Sequence, residues 1–307
     1  MEKIQSAIAK ARAARAATRT AEAGAVAAPT APQPPLDLEP EMRVTAASTP
    51  PDAAPAGSSG TPDPALASAI AARWEALPGF APSPVLMAKN HVVTFAGGGE
   101  AVHFDVLRTR LLQQMRANGW HRVAITSPGP ACGKSTLALN LAFSLGRQPD
   151  LRTLVLEMDL RRPSLSRMLG LRDKHHSARV LEGLEPLGGN AVRHGPNLAI
   201  TTQAGAARHP AELMHSPALA VALDGIETDY APAVILCDLP PLFASDDAMA
   251  VMGQMDAALI VAAAGSTTIK EIDRCEREIA TQTNVIGVIL NKCRYMERDY
   301  GYDYYGG

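Results

Sequence analysis

Across residues 90–292 the chain alternates short, wholly apolar runs with longer stretches whose apolar positions recur every three or four residues. The first pattern fits strands buried on both faces, and the second fits helices with one covered face. "HVVTF" (91–95) reads as a strand, and "FDVLRTRLLQQMRANG" (104–119) as a helix closed by Gly119. "RVAITS" is a buried strand, "KSTLALNLAFSLG" a helix and "TLVLEMD" a second buried strand. After a less regular stretch come "NLAIT", "PAELMHSPALAVALDGI", "AVILCD", "ALIVAAA", "IKEIDRCEREIATQ" and "VIGVILN", again strand-like and helix-like segments. Strands joined by helices predict an α/β fold, a three-layer α/β/α domain around a mostly parallel sheet.

The first 89 residues follow other patterns. Residues 1–20 predict a basic amphipathic helix, with Ile4 and Ile8 on one side and Lys3, Lys10, Arg12, Arg15 and Arg19 supplying charge. This pattern fits a solvated, partly formed helix, with docking onto a partner or an anionic membrane surface as the alternative. Residues 1–73 hold no Phe, Tyr or Trp, and residues 21–70 carry 14 Ala and 10 Pro. That composition buries too little apolar surface to offset the entropy of ordering, so 21–62 reads as a disordered linker. Residues 63–89 read as a short helix and connector: Asp63 is its cap, Leu66, Ile70, Trp74 and Leu77 share one side, and Pro78-Gly79 ends it.

Charge and cysteine content narrow the function classes. The net charge of −2 gives no electrostatic footprint for nucleic acid. The longest apolar run, near residue 260, is too short to span a bilayer. Cys132, Cys237, Cys275 and Cys293 have neither CxxC nor zinc spacing, which fits a reducing cytoplasm. His175-His176 read as part of a solvated loop, and Cys132 as a small residue that fits its loop.

Chemistry enters at "RVAITSPGPACGKST", a buried strand, a Gly/Pro-rich turn and the start of a helix. This is the context of a phosphate-binding loop, in which successive backbone N–H groups and a helix N-terminus surround the phosphates. Gly129, Pro130, Ala131, Cys132, Gly133, Lys134, Ser135 and Thr136 are the expected nucleotide-binding residues. Gly133 gives the backbone room, Lys134 a positive charge for the β/γ oxygens, and Ser135 a hydroxyl for Mg²⁺. The first glycine of the usual GxxxxGK pattern is replaced by Pro128.

Two strand ends supply acids. "VILCDLPP" ends in Asp238, followed by prolines that cannot continue a ladder, and reads as a metal ligand. "LVLEMDLRRP" carries Glu157 and Asp159, two apart and so expected on one face, suggesting metal binding plus a base near the γ-phosphate. Arg161 and Arg162 are candidates for gripping phosphate or an adjacent subunit, and Asn291, at the end of the last strand, for hydrogen-bonding adenine.

In this order and on these elements, the chain resembles the bacterial tyrosine kinases of capsule and exopolysaccharide synthesis. "ITSPGPACGKST" resembles their Walker A motif, "LVLEMDLRRPSL" their second acidic motif and "VILCDLPP" their Walker B; "HPAELMHSP" and the tyrosine-rich end also fit. The resemblance covers about residues 90–307. It implies ATP and Mg²⁺ as cofactors, with Lys134 on phosphate, Ser135, Asp238 and Glu157 around the metal, and Asp159 as base for a tyrosine hydroxyl. It further implies self-association, a membrane polysaccharide co-polymerase-type activator and a cognate tyrosine phosphatase. With no membrane span before the domain, it is similar to the stand-alone cytoplasmic form that a partner recruits to the inner face of the plasma membrane. Two departures stand out: Glu157 replaces an aspartate, and the family's Glu-x-x-Arg-x-x-Arg contact motif falls on Val102, Asp105 and Arg108, where only Arg108 matches.

Five of the six tyrosines, Tyr295, Tyr300, Tyr302, Tyr304 and Tyr305, lie in the tail 293–307 and are the expected phosphoacceptors. Fully extended, that tail reaches about 50 Å, enough to enter a neighbour's site. Two alternatives remain. A partition or septum-positioning ATPase would carry an extra lysine where Gly129 stands; the other is a catalytically weak, ATP-dependent scaffold of the polysaccharide machinery.

Overall fold

The computed structural model describes residues 64–172 and 174–293; the expected basic helix, the linker, Asp63 and the five tail tyrosines lie outside the described residues. The strands are β1 Arg122–Thr126, β2 Thr153–Glu157, β3 Ala191–His194, β4 Leu198–Thr201, β5 Val234–Asp238, β6 Ala257–Ala263 and β7 Asn284–Asn291. They form one sheet in the order β3-β4-β2-β5-β1-β6-β7, parallel throughout except for the β3–β4 pair. The helices are α1 Pro64–Ala76, α2 Pro84–Lys89, α3 Val102–Asn118, α4 Lys134–Gly146, α5 Leu165–Leu169, α6 Ser177–Leu181, α7 Pro210–Met214, α8 Pro217–Tyr230, α9 Asp247–Met252 and α10 Ile269–Ile279. Among the described residues no helix is long and apolar enough to cross a membrane.

The sheet separates two apolar cores, as the continuous strand runs require. One gathers Ile70 and Trp74 of α1, Leu223 and Ile226 of α8, and Cys275 and Ile279 of α10. The other gathers Leu111 and Met115 of α3 with Leu137 and Leu141 of α4. Every residue of β1 and β6 is buried. Helix α3 ends as expected at Gly119, whose φ of 67° is the left-handed conformation that glycine adopts without a Cβ clash.

The topology places the site. After β1 and α4 the chain does not return beside β1; β2 lies one strand further out, and β5 later fills the gap. Asp238 is therefore in register with Ile125 of β1 on one side and Glu157 of β2 on the other. The phosphate loop and both acidic strand ends share one carboxyl edge, the usual ligand position in open α/β sheets.

Four local readings differ. "HVVTF" is not a strand: Val93–Phe95 form a 3₁₀ turn, because buried Asn140 of α4 takes up the backbone groups a strand partner would use. Its Oδ1 accepts the Thr94 N–H at 3.1 Å, and its Nδ2 donates to the His91 carbonyl at 2.8 Å. "PAELMHSPALAVALDGI" is two helices, because Pro217 cannot continue the first; Ser216 instead caps the second by accepting the Ala218 N–H at 3.2 Å. His175 is buried against the Thr202 hydroxyl at 3.0 Å rather than solvated.

The fourth is β3, an edge strand hidden in the irregular stretch. Its outer side pairs with the connector after α1, where the Phe80 N–H donates to the Arg193 carbonyl at 2.7 Å and the Arg193 N–H to the Pro78 carbonyl at 2.8 Å. Helix α1 belongs to the domain as well: Trp74 is buried, donates from Nε1 to the Tyr230 carbonyl at 2.7 Å and meets the Tyr230 ring edge-on. Of the four residues expected to share its packed side, Leu66 alone is exposed.

Candidate nucleotide-binding site

Strand β1 delivers the chain into the loop Ser127–Gly133, and α4 begins at Lys134. Pro130 and Ala131 sit exposed on the loop's crest, while Cys132 is buried with its Sγ 3.6 Å from the Thr267 hydroxyl. Gly133 has φ 92°, and a Cβ there would lie 2.2 Å from Asn291 Nδ2. Glycine is thus favoured for its torsion, and a Cβ there would also push the Asn291 amide aside. The Asn291 amide donates to the Cys132 carbonyl at 2.9 Å, and its Oδ1 accepts the Lys292 N–H at 2.8 Å. Asn291 therefore braces the phosphate loop from the end of β7. Thr136 lies one turn into α4, where its carbonyl accepts from Asn140 Nδ2 at 2.9 Å.

Lys134 is 7% exposed, and its Nζ stands 4.0 Å from Asp159 Oδ2. Asp159 is held from behind by the Arg162 N–H, which donates to Oδ1 at 3.1 Å. Burial raises the Asp159 pKa above the usual aspartate range, opposed chiefly by the Lys134 charge. Asp238 is fully buried, and no group meets hydrogen-bond geometry at either oxygen, although the Ser135 hydroxyl is close enough to lower its pKa. Burial pushes its pKa up to about 6, against the pull of the Lys134 charge and the nearby Ser135 hydroxyl.

Two orphaned carboxylate oxygens beside a serine hydroxyl at a phosphate loop are a donor set suited to Mg²⁺. That hard ion takes one or two protein carboxylates and fills its remaining positions with phosphate and water. Among the described residues there is no group of three His, Cys, Asp or Glu able to cage a metal without such help.

The cost of this arrangement is measurable. A folded-state pKa raised from 3.8 to about 6 means the native state holds an extra proton between those values. The contribution of Asp238 to the stability of the nucleotide-free protein is therefore fully present below the unfolded aspartate value and is lost as pH rises through about 6. Asp238→Asn removes the buried charge. It should stabilise the metal-free protein at pH 7.5 by roughly 2–3 kcal/mol while weakening Mg²⁺-dependent nucleotide binding. Urea unfolding and nucleotide titration with and without Mg²⁺ check both halves; a destabilised Asn variant would contradict the unpaired-charge account.

Glu157 does not join this group. It is fully buried, and its two oxygens accept the backbone N–H groups of Ser164, Leu165 and Gln203. Burial raises its pKa to about 7, partly offset by these bonds. Glu157 and Asp159, expected on one face, are engaged differently: Glu157 is taken up by backbone N–H groups, whereas Asp159 stands by Lys134. Arg161 also goes elsewhere, pairing through two bonds of 2.5 and 2.9 Å with Asp247, a buried residue that the sequence reading did not single out. The two are 86 positions apart with no shared motif, so only the fold reveals the pair. The Arg162 side chain remains near Asp159, whose pKa its charge lowers.

The helix expected to carry the subunit-contact motif is engaged within the chain. Asp105 Oδ1 accepts from Arg108 Nη1 at 3.1 Å, from Ser144 Oγ at 2.6 Å and from Arg147. Arg108, the one residue matching that motif, is thereby committed to its own domain.

Residues 120–305 match the ParA family model, described as an NUBPL iron-transfer P-loop NTPase. The tyrosine-protein kinase CpsD of Streptococcus pneumoniae is 31% identical over 213 residues, covering 65% of this chain and 87% of that protein. The succinoglycan biosynthesis transport protein ExoP of Rhizobium meliloti is 34% identical over 185 residues, covering 58% of this chain and 23% of ExoP. The kinase domain of the Escherichia coli tyrosine kinase ETK superposes with a TM-score of 0.57 at 25% identity, covering 66% of this chain and 80% of that domain. The chain spans about a quarter of the length of several other tyrosine kinases it matches.

Proposed function

The chain belongs to the bacterial tyrosine-kinase family within the ParA-type P-loop NTPases, and from that premise we propose that it is an ATP-dependent protein-tyrosine autokinase acting on its own C-terminal tyrosines. The observation that carries this reading is the convergence of Lys134, Asp159 and the unpartnered Asp238 on one phosphate loop. When bound, ATP would supply the γ-phosphoryl group and Mg²⁺ would supply charge neutralisation for its transfer. Ser135 and Asp238 would hold the metal, and the loop N–H groups with Lys134 would hold the phosphates. Asp159, kept basic by burial and within reach of Lys134, takes the proton from the tyrosine hydroxyl.

The wider role follows the same membrane-associated machinery. We assign it the control of exopolysaccharide or capsule polymerisation and export, a reading supported by the printed role of ExoP in succinoglycan biosynthesis and transport. Its partners in this proposal are a membrane co-polymerase-type activator, a second copy of itself and a cognate tyrosine phosphatase, with the protein held at the inner face of the plasma membrane.

Iron transfer does not carry over from the family description. All four cysteines are described, and three are buried, with the Cys237 and Cys275 thiols pushed up to about 12 by burial. Thiols of that kind are poor cluster ligands, which bind as thiolates. The reading of a weak scaffold rested on Glu157 as a defective metal ligand, and the bonds Glu157 makes remove that motive.

The test is phosphotyrosine on the purified full-length chain, with and without Mg-ATP, alone and with the cytoplasmic segment of a candidate activator. Labelling that needs Mg-ATP and rises with the activator supports the proposal. Nucleotide hydrolysis without any phosphotyrosine in either condition would make the protein an ATPase instead.

A further inference from the structure

The segment between β2 and α5, residues 158–164, carries Asp159, Arg161 and Arg162, and it is tied at both ends to one side chain. Glu157 Oε1 accepts the N–H of Ser164 at 2.5 Å and of Leu165 at 2.7 Å. Its Oε2 accepts the N–H of Gln203, just beyond β4, at 2.6 Å. The main chain of Glu157 is fixed as well: its N–H donates to the Thr201 hydroxyl at 3.0 Å, and its carbonyl accepts from Ser177 Oγ at 2.7 Å. The carboxylate thus closes a loop that begins at its own residue, and it staples that loop to the neighbouring strand.

We infer that Glu157 is a positioning residue, a clasp that sets the 158–164 loop and with it Asp159 against the phosphate loop. What Asp159 does there rests on the kinase reading; the clasp itself does not. A carboxylate offers about four lone-pair sites, and three of these are filled by backbone N–H groups. Turning Glu157 toward a metal would strand all three donors, two of which belong to buried residues, Leu165 and Gln203. Asp159 feels the clasp directly, because the Arg162 N–H that orients its Oδ1 lies inside the closed loop. The Arg161–Asp247 pair pins the same loop from its other side.

Side-chain length is what the clasp needs. Aspartate keeps the charge but falls one methylene short of Ser164, Leu165 and Gln203 together. Glutamine keeps the reach and one acceptor oxygen, enough for the Ser164 and Leu165 pair, and loses the Gln203 bond. A metal ligand orders the two substitutions the opposite way, since aspartate binds Mg²⁺ and a neutral amide binds it poorly.

The experiment compares full-length wild type, Glu157→Asp and Glu157→Gln by hydrogen exchange and by steady-state phosphorylation. Exchange over 158–165 should accelerate on the order of tenfold in Glu157→Asp and about threefold or less in Glu157→Gln, with α4 and β6 unchanged. The phosphorylation kcat should follow the same order, falling about tenfold or more for Asp and less for Gln, with the ATP KM and Mg²⁺ requirement within about threefold of wild type. An Asp variant with wild-type exchange and turnover, beside an inactive Gln variant with a raised Mg²⁺ requirement, overturns the clasp and restores Glu157 to the metal. If the wild type makes no phosphotyrosine, the kinase reading fails, while the order of exchange rates still decides the clasp.

Discussion

Lys134→Ala should abolish phosphotyrosine, lowering turnover by about 10²–10³-fold or more, the scale of losing a preorganised charge at a phosphoryl-transfer site. The same substitution should also cost stability. Lys134 is almost fully buried and is the cation that opposes proton uptake by both Asp159 and Asp238. Without it the two carboxylates face each other unneutralised, and their pKa values should climb further as they take up protons. Phosphotyrosine assay, nucleotide titration and thermal melting on one preparation separate the effects. Lys134→Met, which keeps most of the apolar stem, should be just as inactive with less loss of stability. Undiminished phosphotyrosine in either variant would remove Lys134 from the chemistry.

Asp159→Asn should split catalysis from binding. A general base contributes about 10²–10⁴-fold, so kcat should fall by that order. Nucleotide affinity should stay within about threefold, because the lost interaction matters mainly in the transition state. The pH profile carries a second signature. Burial holds the Asp159 pKa above the ordinary range, so wild-type turnover should decline as pH falls toward it, and the Asn variant should keep only the part of that limb that Asp238 supplies. Equal losses in kcat and affinity would make Asp159 a ground-state ligand instead of a base.

The contrast between Asp238 and Glu157 shows what a sequence carries about such a site. Asp238 was legible because its context is local: an apolar run, the acid, then prolines that stop the strand. The phosphate loop was legible for the same reason, a buried strand running into a glycine-rich turn and a helix. Glu157 carried an equally local signal, an acid two residues from another, and that signal gave no sign of the bonds its carboxylate makes. What decides its role is backbone N–H groups seven, eight and 46 positions away, and no side-chain pattern announces those. Asn291 is similar, since its brace on Cys132 spans 159 positions and depends on glycine at 133 to leave room. The false strand at 91–95 failed for a related reason: an apolar β-branched run is strand-like only if a partner edge exists, and here Asn140 satisfies it instead. Asp105, an acid where the contact motif has an arginine, turns Arg108 inward, and no local pattern places that pair in space.

Transfer between copies is the centre of the account, and it joins the two halves that the structure and the sequence supply separately. The tail leaves the sheet just beyond Asn291, at the edge that holds the phosphate loop. Each phosphotyrosine adds about −1.5 to −2 charges, so five add roughly −8 to −10 and should drive the tail away from Asp159 and Asp238 once modified. The decisive measurement mixes two full-length chains. One is Lys134→Ala with its tyrosines intact; the other is active but carries Phe at Tyr295, Tyr300, Tyr302, Tyr304 and Tyr305. The account predicts phosphotyrosine on the Lys134→Ala chain, at a rate that rises with the concentration of the active chain. An unlabelled Lys134→Ala chain, under conditions that label the wild type, would contradict transfer between copies.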